Sequence, residues 1–202
     1  MTAIVDYGVG NLFSLVSSFS ALGIPAEAVC DPAIIRSADR LILPGVGAFE
    51  DAAKKLRESG LSEVLKEEAA KGKPILGICL GMQLLFEISF EYGEHEGLGL
   101  IPGKVTAMRN RVPNSLKIPA MGWNALHFVK ESPLFRYVKE NDCVYFVHSY
   151  SAVDCASDTI AVVEYGEEIT AAVGRGNVYG CQFHPEKSGT VGLSILRAFS
   201  EL

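Results

Sequence analysis

A cysteine stands between two glycines in Gly77-Ile78-Cys79-Leu80-Gly81. A short apolar run after Pro74 leads into it and reads as a buried strand. After Gly81 no glycine or proline interrupts the helix formers through Glu87, which predicts a helix. A strand, a glycine-flanked nucleophile and a helix make the cysteine form of the nucleophile elbow. A nucleophile on so tight a turn takes strained backbone angles, and the glycines remove side chains that would collide there. The N-terminus of the helix favours negative charge at the sulfur. The amide of Leu80 is placed to donate to an oxyanion formed by attack of Cys79. The plain alternative is a small core cysteine in a Gly-rich bend.

A cysteine nucleophile needs a base and a group that orients the base. The chain has four histidines. His184 ends the run Tyr179-Gly180-Cys181-Gln182-Phe183 and is followed by Pro185-Glu186. Residues two apart in an extended chain point the same way, so Glu186 can hydrogen-bond the His184 ring. Pro185 biases His184 toward extended geometry. The alternative for His184-Pro185-Glu186 is a surface turn. His148 ends an apolar run and is a plausible site position, but no carboxylate lies two or three residues from it. His127 reads as a structural histidine in a strand. His95, in Glu94-His95-Glu96-Gly97, reads as an exposed loop.

The rest of the chain must bring Cys79 and His184 together. Its 202 residues are 49% apolar, enough for one domain, residues 1–202, with a sizeable core. A net charge of −6 argues against nucleic-acid binding. Five cysteines without metal-type spacing imply a reducing, cytoplasmic compartment. No basic segment precedes the first apolar run, so no signal peptide is expected. The longest apolar run is too short to cross a membrane.

Strands are expected at residues 3–5, 26–30, 41–43 and just before Cys79, with helices at 12–22, 49–58 and 61–71. Such alternation implies a mostly parallel α/β sheet with helices on both faces, a flavodoxin-like three-layer arrangement. Ligands then bind beyond the carboxyl ends of the strands. Gly-rich loops follow Val5, Leu43 and Ile78, and all three are expected to line one cleft. After Gly93, β-like runs at 104–108, 123–128, 143–148, 160–164, 169–173 and 178–183 should extend the sheet with mixed or antiparallel strands. A helix at 190–199 closes the chain.

The elbow with Gln182-Phe183-His184-Pro185-Glu186 resembles the class I, triad-type glutamine amidotransferases. Asp6-Tyr7-Gly8-Val9-Gly10-Asn11, Pro44-Gly45-Val46-Gly47-Ala48-Phe49 and Pro119-Ala120-Met121-Gly122-Trp123-Asn124 narrow the resemblance. With Lys187-Ser188 they are similar to the glutaminase subunits of imidazole glycerol phosphate synthases, over essentially the whole chain. Ala120 and Phe90 depart from that pattern, while Glu91 keeps its acidic position.

The resemblance implies a triad of Cys79, His184 and Glu186 that releases ammonia from glutamine. It implies an oxyanion hole from Val46, Gly47 and Leu80, in a loop that must rearrange before its amide faces the oxyanion. Glutamine would be held by Gly45, Gln83, Glu91 and the backbone of Ser149 and Tyr150. The partner would be a (βα)₈-barrel cyclase, met in a heterodimer through Asn11, Met121, Trp123, Tyr145 and Lys187, which would also border the ammonia exit. No metal or cofactor is expected.

Other readings compete. Gly8-Val9-Gly10 suggests a dinucleotide fingerprint, but Phe13 occupies the third glycine position. No phosphate loop or zinc spacing is present. Another class I glutaminase, such as the one serving pyridoxal phosphate synthesis, is the nearest enzyme alternative. A cysteine hydrolase of other esters or amides is more distant. A degenerate scaffold subunit is the non-enzyme alternative, and the intact triad residues argue against it.

Overall fold

A computed structural model describes residues Met1–Leu202. In chain order the elements are β1 (Thr2–Val5), α1 (Leu12–Ala21), β2 (Ala26–Val29), α2 (Pro32–Ser37), β3 (Arg40–Leu43), α3 (Phe49–Glu58), α4 (Leu61–Ala70) and β4 (Ile75–Ile78). Then come α5 (Leu80–Leu84), β5 (Phe86–Ser89), β6 (His95–Glu96), β7 (Ile101–Ala107), β8 (Ala120–Ala125), β9 (His127–Phe128) and β10 (Cys143–His148). The chain ends with β11 (Tyr150–Val153), β12 (Thr159–Glu164), β13 (Glu168–Arg175), β14 (Val178–Cys181) and α6 (Gly189–Ser200).

Eight strands form the main sheet in the order β2-β1-β3-β4-β14-β13-β12-β9. The first five run parallel, and β13, β12 and β9 continue antiparallel. The parallel strands are continuous apolar runs because both faces are covered. Alternate residues feed separate cores. Ala3, Val5, Leu41 and Leu43 pack with α2, α3 and α4 on one face. Ile4, Ile42, Leu76 and Ile78 pack with α1 and α6 on the other. The three-layer α/β expectation therefore holds.

Three expectations fail. The C-terminal half does not all extend the main sheet. The β8–β10 pair is a separate ribbon, and β11-β7-β5-β6 is a second sheet. The helix after the elbow stops at Leu84 instead of reaching Glu87, and Phe86–Ser89 is a strand. Its cause is non-local: the amides of Leu98, Leu100 and Gly99 donate to the carbonyls of Leu84, Leu85 and Phe86. Those carbonyls are thus claimed by a distant segment, not by a further helical turn. His95 is not in an exposed loop, because Ser89 and His95 are register partners in the β5–β6 pair.

β4 lies between β3 and β14. All three run parallel, so their carboxyl ends share one edge. That edge carries the Pro44 loop, Cys79 and the Gln182–Glu186 segment.

Candidate active site

Cys79 caps the N-terminus of α5 with φ 56° and ψ −111°. A non-glycine residue holds such angles only when its surroundings over-determine them. Those surroundings are backbone. A Cβ on Gly77 would lie 2.6 Å from the Gly81 carbonyl oxygen, and one on Gly81 would lie 1.8 Å from the Leu43 carbonyl oxygen. Glycine is therefore required for close packing at both positions. The Cys79 amide donates to the Cys181 carbonyl at 2.7 Å, pinning the elbow to β14. As the first helical residue, Leu80 has an amide without an intrahelical acceptor.

His184 follows β14 and is almost fully buried. Its Nδ1–H donates to Glu186 Oε1 at 2.8 Å, as the two-residue spacing predicts. The Cys79 sulfur lies close enough to influence the same ring. Burial disfavours the imidazolium, but the Cys79 sulfur and the hydrogen-bonded Glu186 carboxylate outweigh it. They raise His184 from 6.5 to about 9. The arrangement suits an imidazolium beside a sulfur anion, with Glu186 fixing the ring. Residues 103 positions apart from Cys79 in Gln182, and 105 in His184, thus meet at one sheet edge.

Cys79 and His184 border a cleft of about 340 Å³, and Glu186 reaches it only through the His184 ring. Val46, Gly47, Leu80, Gln83, Glu91, Ser149, Tyr150 and Lys187 also line it, beside His148. A larger open hollow of about 840 Å³, along Phe128 to Arg136, contains none of the triad.

Glu91 accepts the Phe49 amide at 2.7 Å. Desolvation raises its carboxyl above the ordinary range, against the lowering effect of that amide. Gln83 donates through Nε2 to the Tyr150 carbonyl, 3.2 Å, and to Gln182 Oε1, 3.0 Å.

Gly45 does not line the cleft. A Cβ there would lie 2.7 Å from the Gly81 amide nitrogen, so the Gly45 Cα packs against the elbow. The loop after Val5 does not line the cleft either. It supports the wall from behind: Tyr7 donates its hydroxyl to the Pro44 carbonyl at 2.7 Å.

Of the five interface residues, only Lys187 lines the cleft. Asn11 caps α1 by accepting the Ser14 amide. Met121 and Trp123 on β8 are 61% and 55% exposed, so Trp123 is not core. Tyr145 faces Trp123 across the ribbon, with ring centroids 6.1 Å apart.

Three residues near the site were given no role by the sequence, His148 having been set aside as the base. His148 is buried, lines the cleft and donates from Nδ1 to the Tyr150 carbonyl at 2.8 Å. Burial lowers it to about 4, against the raising effect of that bond, so its ring is neutral. Tyr7 carried a signal only in its position, at the carboxyl end of β1. Gln182 carried a stronger one, two residues from His184 and hence on the same side of an extended chain.

The class I glutamine amidotransferase family profile matches residues 3–201. The chain belongs to this family. Among its relatives, the imidazole glycerol phosphate synthase subunit HisH of Sulfurimonas denitrificans is 53% identical over 100% of this chain and 98% of its own length. HisH of Lactococcus lactis is 51% identical, over 98% of this chain and 96% of its own length. Among solved structures, PurLQS from Thermotoga maritima superposes with a TM-score of 0.77 at 22% identity, covering 98% of this chain and 96% of that one. A crystal structure described as a glutamine amidotransferase gives 0.76 at 20%, covering 98% and 97%. At these identities the two structures speak for the class I amidotransferase fold alone. Its parallel strands converge here on the Cys79 edge.

Proposed function

We propose that this chain is the glutaminase subunit of an imidazole glycerol phosphate synthase, one amidotransferase domain over residues 1–202. It hydrolyses glutamine to glutamate and ammonia and delivers the ammonia to a cyclase partner in histidine biosynthesis. The observation that carries this reading is the meeting of Cys79 and His184 at one cleft, with Glu186 bonded to the His184 ring, in a chain similar along its whole length to HisH subunits.

The Cys79 thiolate attacks the side-chain carboxamide. The tetrahedral oxyanion is held by the Leu80 amide and one from Val46 or Gly47. His184 gives its proton to the leaving nitrogen, and ammonia departs. Water deprotonated by His184 then hydrolyses the glutamyl thioester and releases Cys79. Glu186 holds the ring in the productive tautomer. One oxyanion donor is worth ~3 kcal/mol, roughly a hundredfold or more in rate. Movement of the Val46–Gly47 backbone would therefore switch turnover.

Glu91 suits the α-ammonium of glutamine, and Gln83 with the Ser149 and Tyr150 backbone completes the amino-acid site. Ammonia in neutral water is mostly ammonium, which is not a nucleophile, so a second active site must receive it directly. A (βα)₈-barrel cyclase would do so, forming imidazole glycerol phosphate and AICAR from PRFAR. Five free cysteines suit a reducing cytoplasm.

The test is ammonia release from glutamine by the chain alone and with the cyclase and its ligand. Slow turnover alone and a large rise in the complex are expected. Equal turnover in both would overturn the coupled reading, and no turnover in either would overturn the glutaminase.

A further inference from the structure

Gln182 is fully buried and is the residue before Phe183 in the run that ends at His184. The mechanism above gives it no task. Its Oε1 accepts from Gln83 Nε2 at 3.0 Å, and its Nε2 lies 3.8 Å from the Cys79 sulfur. Both amides could in principle be turned around, but one fixed group decides their polarity. The Tyr150 carbonyl can only accept, so the Gln83 nitrogen must face it. That nitrogen also faces Gln182, which must therefore present its oxygen. The Gln182 nitrogen is left to face the sulfur.

We propose that Gln182 is a catalytic residue: its amide N–H donates to the Cys79 sulfur, with a polarity set by the Tyr150 carbonyl through Gln83. The inference rests on Cys79 being the glutaminase nucleophile. Gln182 thus supplies a hydrogen-bond donor to the sulfur from the side of β14. The donor needs no reorganisation, because every group in the chain is buried or half-buried. It favours the sulfur anion before attack and again when the thioester is cleaved. The same chain gives Gln83 a second task. Besides meeting glutamine, it links the Ser149–Tyr150 turn to the nucleophile.

The test needs no glutamine. Iodoacetamide alkylation of Cys79 is followed by peptide mass spectrometry across pH, because the exposed Cys30 and Cys143 react as well. The variants are Gln182→Met and Gln83→Met, of nearly equal volume and without the donor. Gln182→Met is expected to move the alkylation profile about one pH unit to the alkaline side, roughly tenfold slower at neutral pH, the worth of one hydrogen bond to a charged atom. Gln83→Met leaves Gln182 in place but frees its amide to rotate. It should shift the profile in the same direction, which a residue that only bound glutamine would not do. If Gln182→Met does not fold, Gln83→Met carries the test. A profile superimposable on that of the unmodified protein in whichever variant folds overturns the proposal. The underlying reading is checked separately in the unmodified protein: alkylated Cys79 must abolish ammonia release, and retained release would remove the nucleophile and this inference with it.

Discussion

Two buried histidines pull the stability of this protein in opposite directions with pH. His184 is raised to about 9 against an ordinary 6.5. A raised value means that the fold binds the proton more tightly than the unfolded chain. Its contribution is complete below about 6.5 and is lost as pH rises through about 9. His148 is lowered to about 4, so its contribution is present above about 6.5 and is lost as pH falls through about 4. From these two rings, urea unfolding should show maximal stability near pH 6.5. His148→Asn keeps an N–H for the Tyr150 carbonyl but cannot titrate, so it should flatten the acid limb and leave the alkaline one. An unchanged acid limb would mean that His148 is not held neutral by burial. Glu186→Gln should lower the alkaline boundary, because it removes a charge that raises His184. It should also cut the glutaminase rate by roughly 10⁴, the cost of the equivalent amide exchange in serine triads. Activity within tenfold of the unmodified enzyme would show that Glu186 does not orient the ring.

At the scale of elements, the elbow depends on backbone-to-backbone packing. Gly81→Ala would put a methyl group 1.8 Å from the Leu43 carbonyl, in the centre of the parallel sheet. Neither partner is a flexible side chain, so the cost should exceed about 4 kcal/mol, the range reserved for forced core rearrangements. Gly8→Ala is the control. It meets nothing within 4 Å and has φ +81°, so only the left-handed backbone opposes it, at about 1–2 kcal/mol. Denaturant midpoints that fell equally for both would show that the elbow has slack. The same distinction separates what could be read in the sequence from what could not. Cys79, His184 and Glu186 were legible because local rules act on them: glycines around a turn, and a two-residue period in extended chain. The parallel half was legible from its alternating elements. The early end of α5 was not, because its carbonyls are taken by residues 98–100, a pairing without local signature. β11 was hidden for a similar reason. Only Ser149 separates it from β10, yet the two strands belong to different sheets. Gly45 was expected at the ligand only through the resemblance, and the local sequence did not show that its hydrogen atoms are needed against Gly81.

On the scale of the whole molecule, the exposed face of the β8–β10 ribbon lies one strand from His184. Trp123 and Tyr145 are register partners, and the Trp123 ring packs edge-on against Tyr145. The Tyr145 backbone in turn clamps the site: its carbonyl accepts the His184 amide at 2.9 Å, and its amide donates to Ser188 Oγ at 2.9 Å. Ser188 Oγ then donates to the His184 carbonyl at 2.6 Å. A partner seated on Met121 and Trp123 would therefore press on the strand that holds His184. Large aromatic anchors dominate binding energy when they become fully buried. Trp123→Ala should weaken association with the cyclase by ~2 kcal/mol or more, roughly thirtyfold, measured by titration calorimetry. Because Trp123 is the single tryptophan, its fluorescence reports the same event directly in the unmodified protein. Its emission should shift to the blue on complex formation, as water leaves the indole. An emission maximum unmoved by saturating partner, with an affinity unaffected by the substitution, would place the docking face elsewhere and leave the clamp on His184 a purely internal brace.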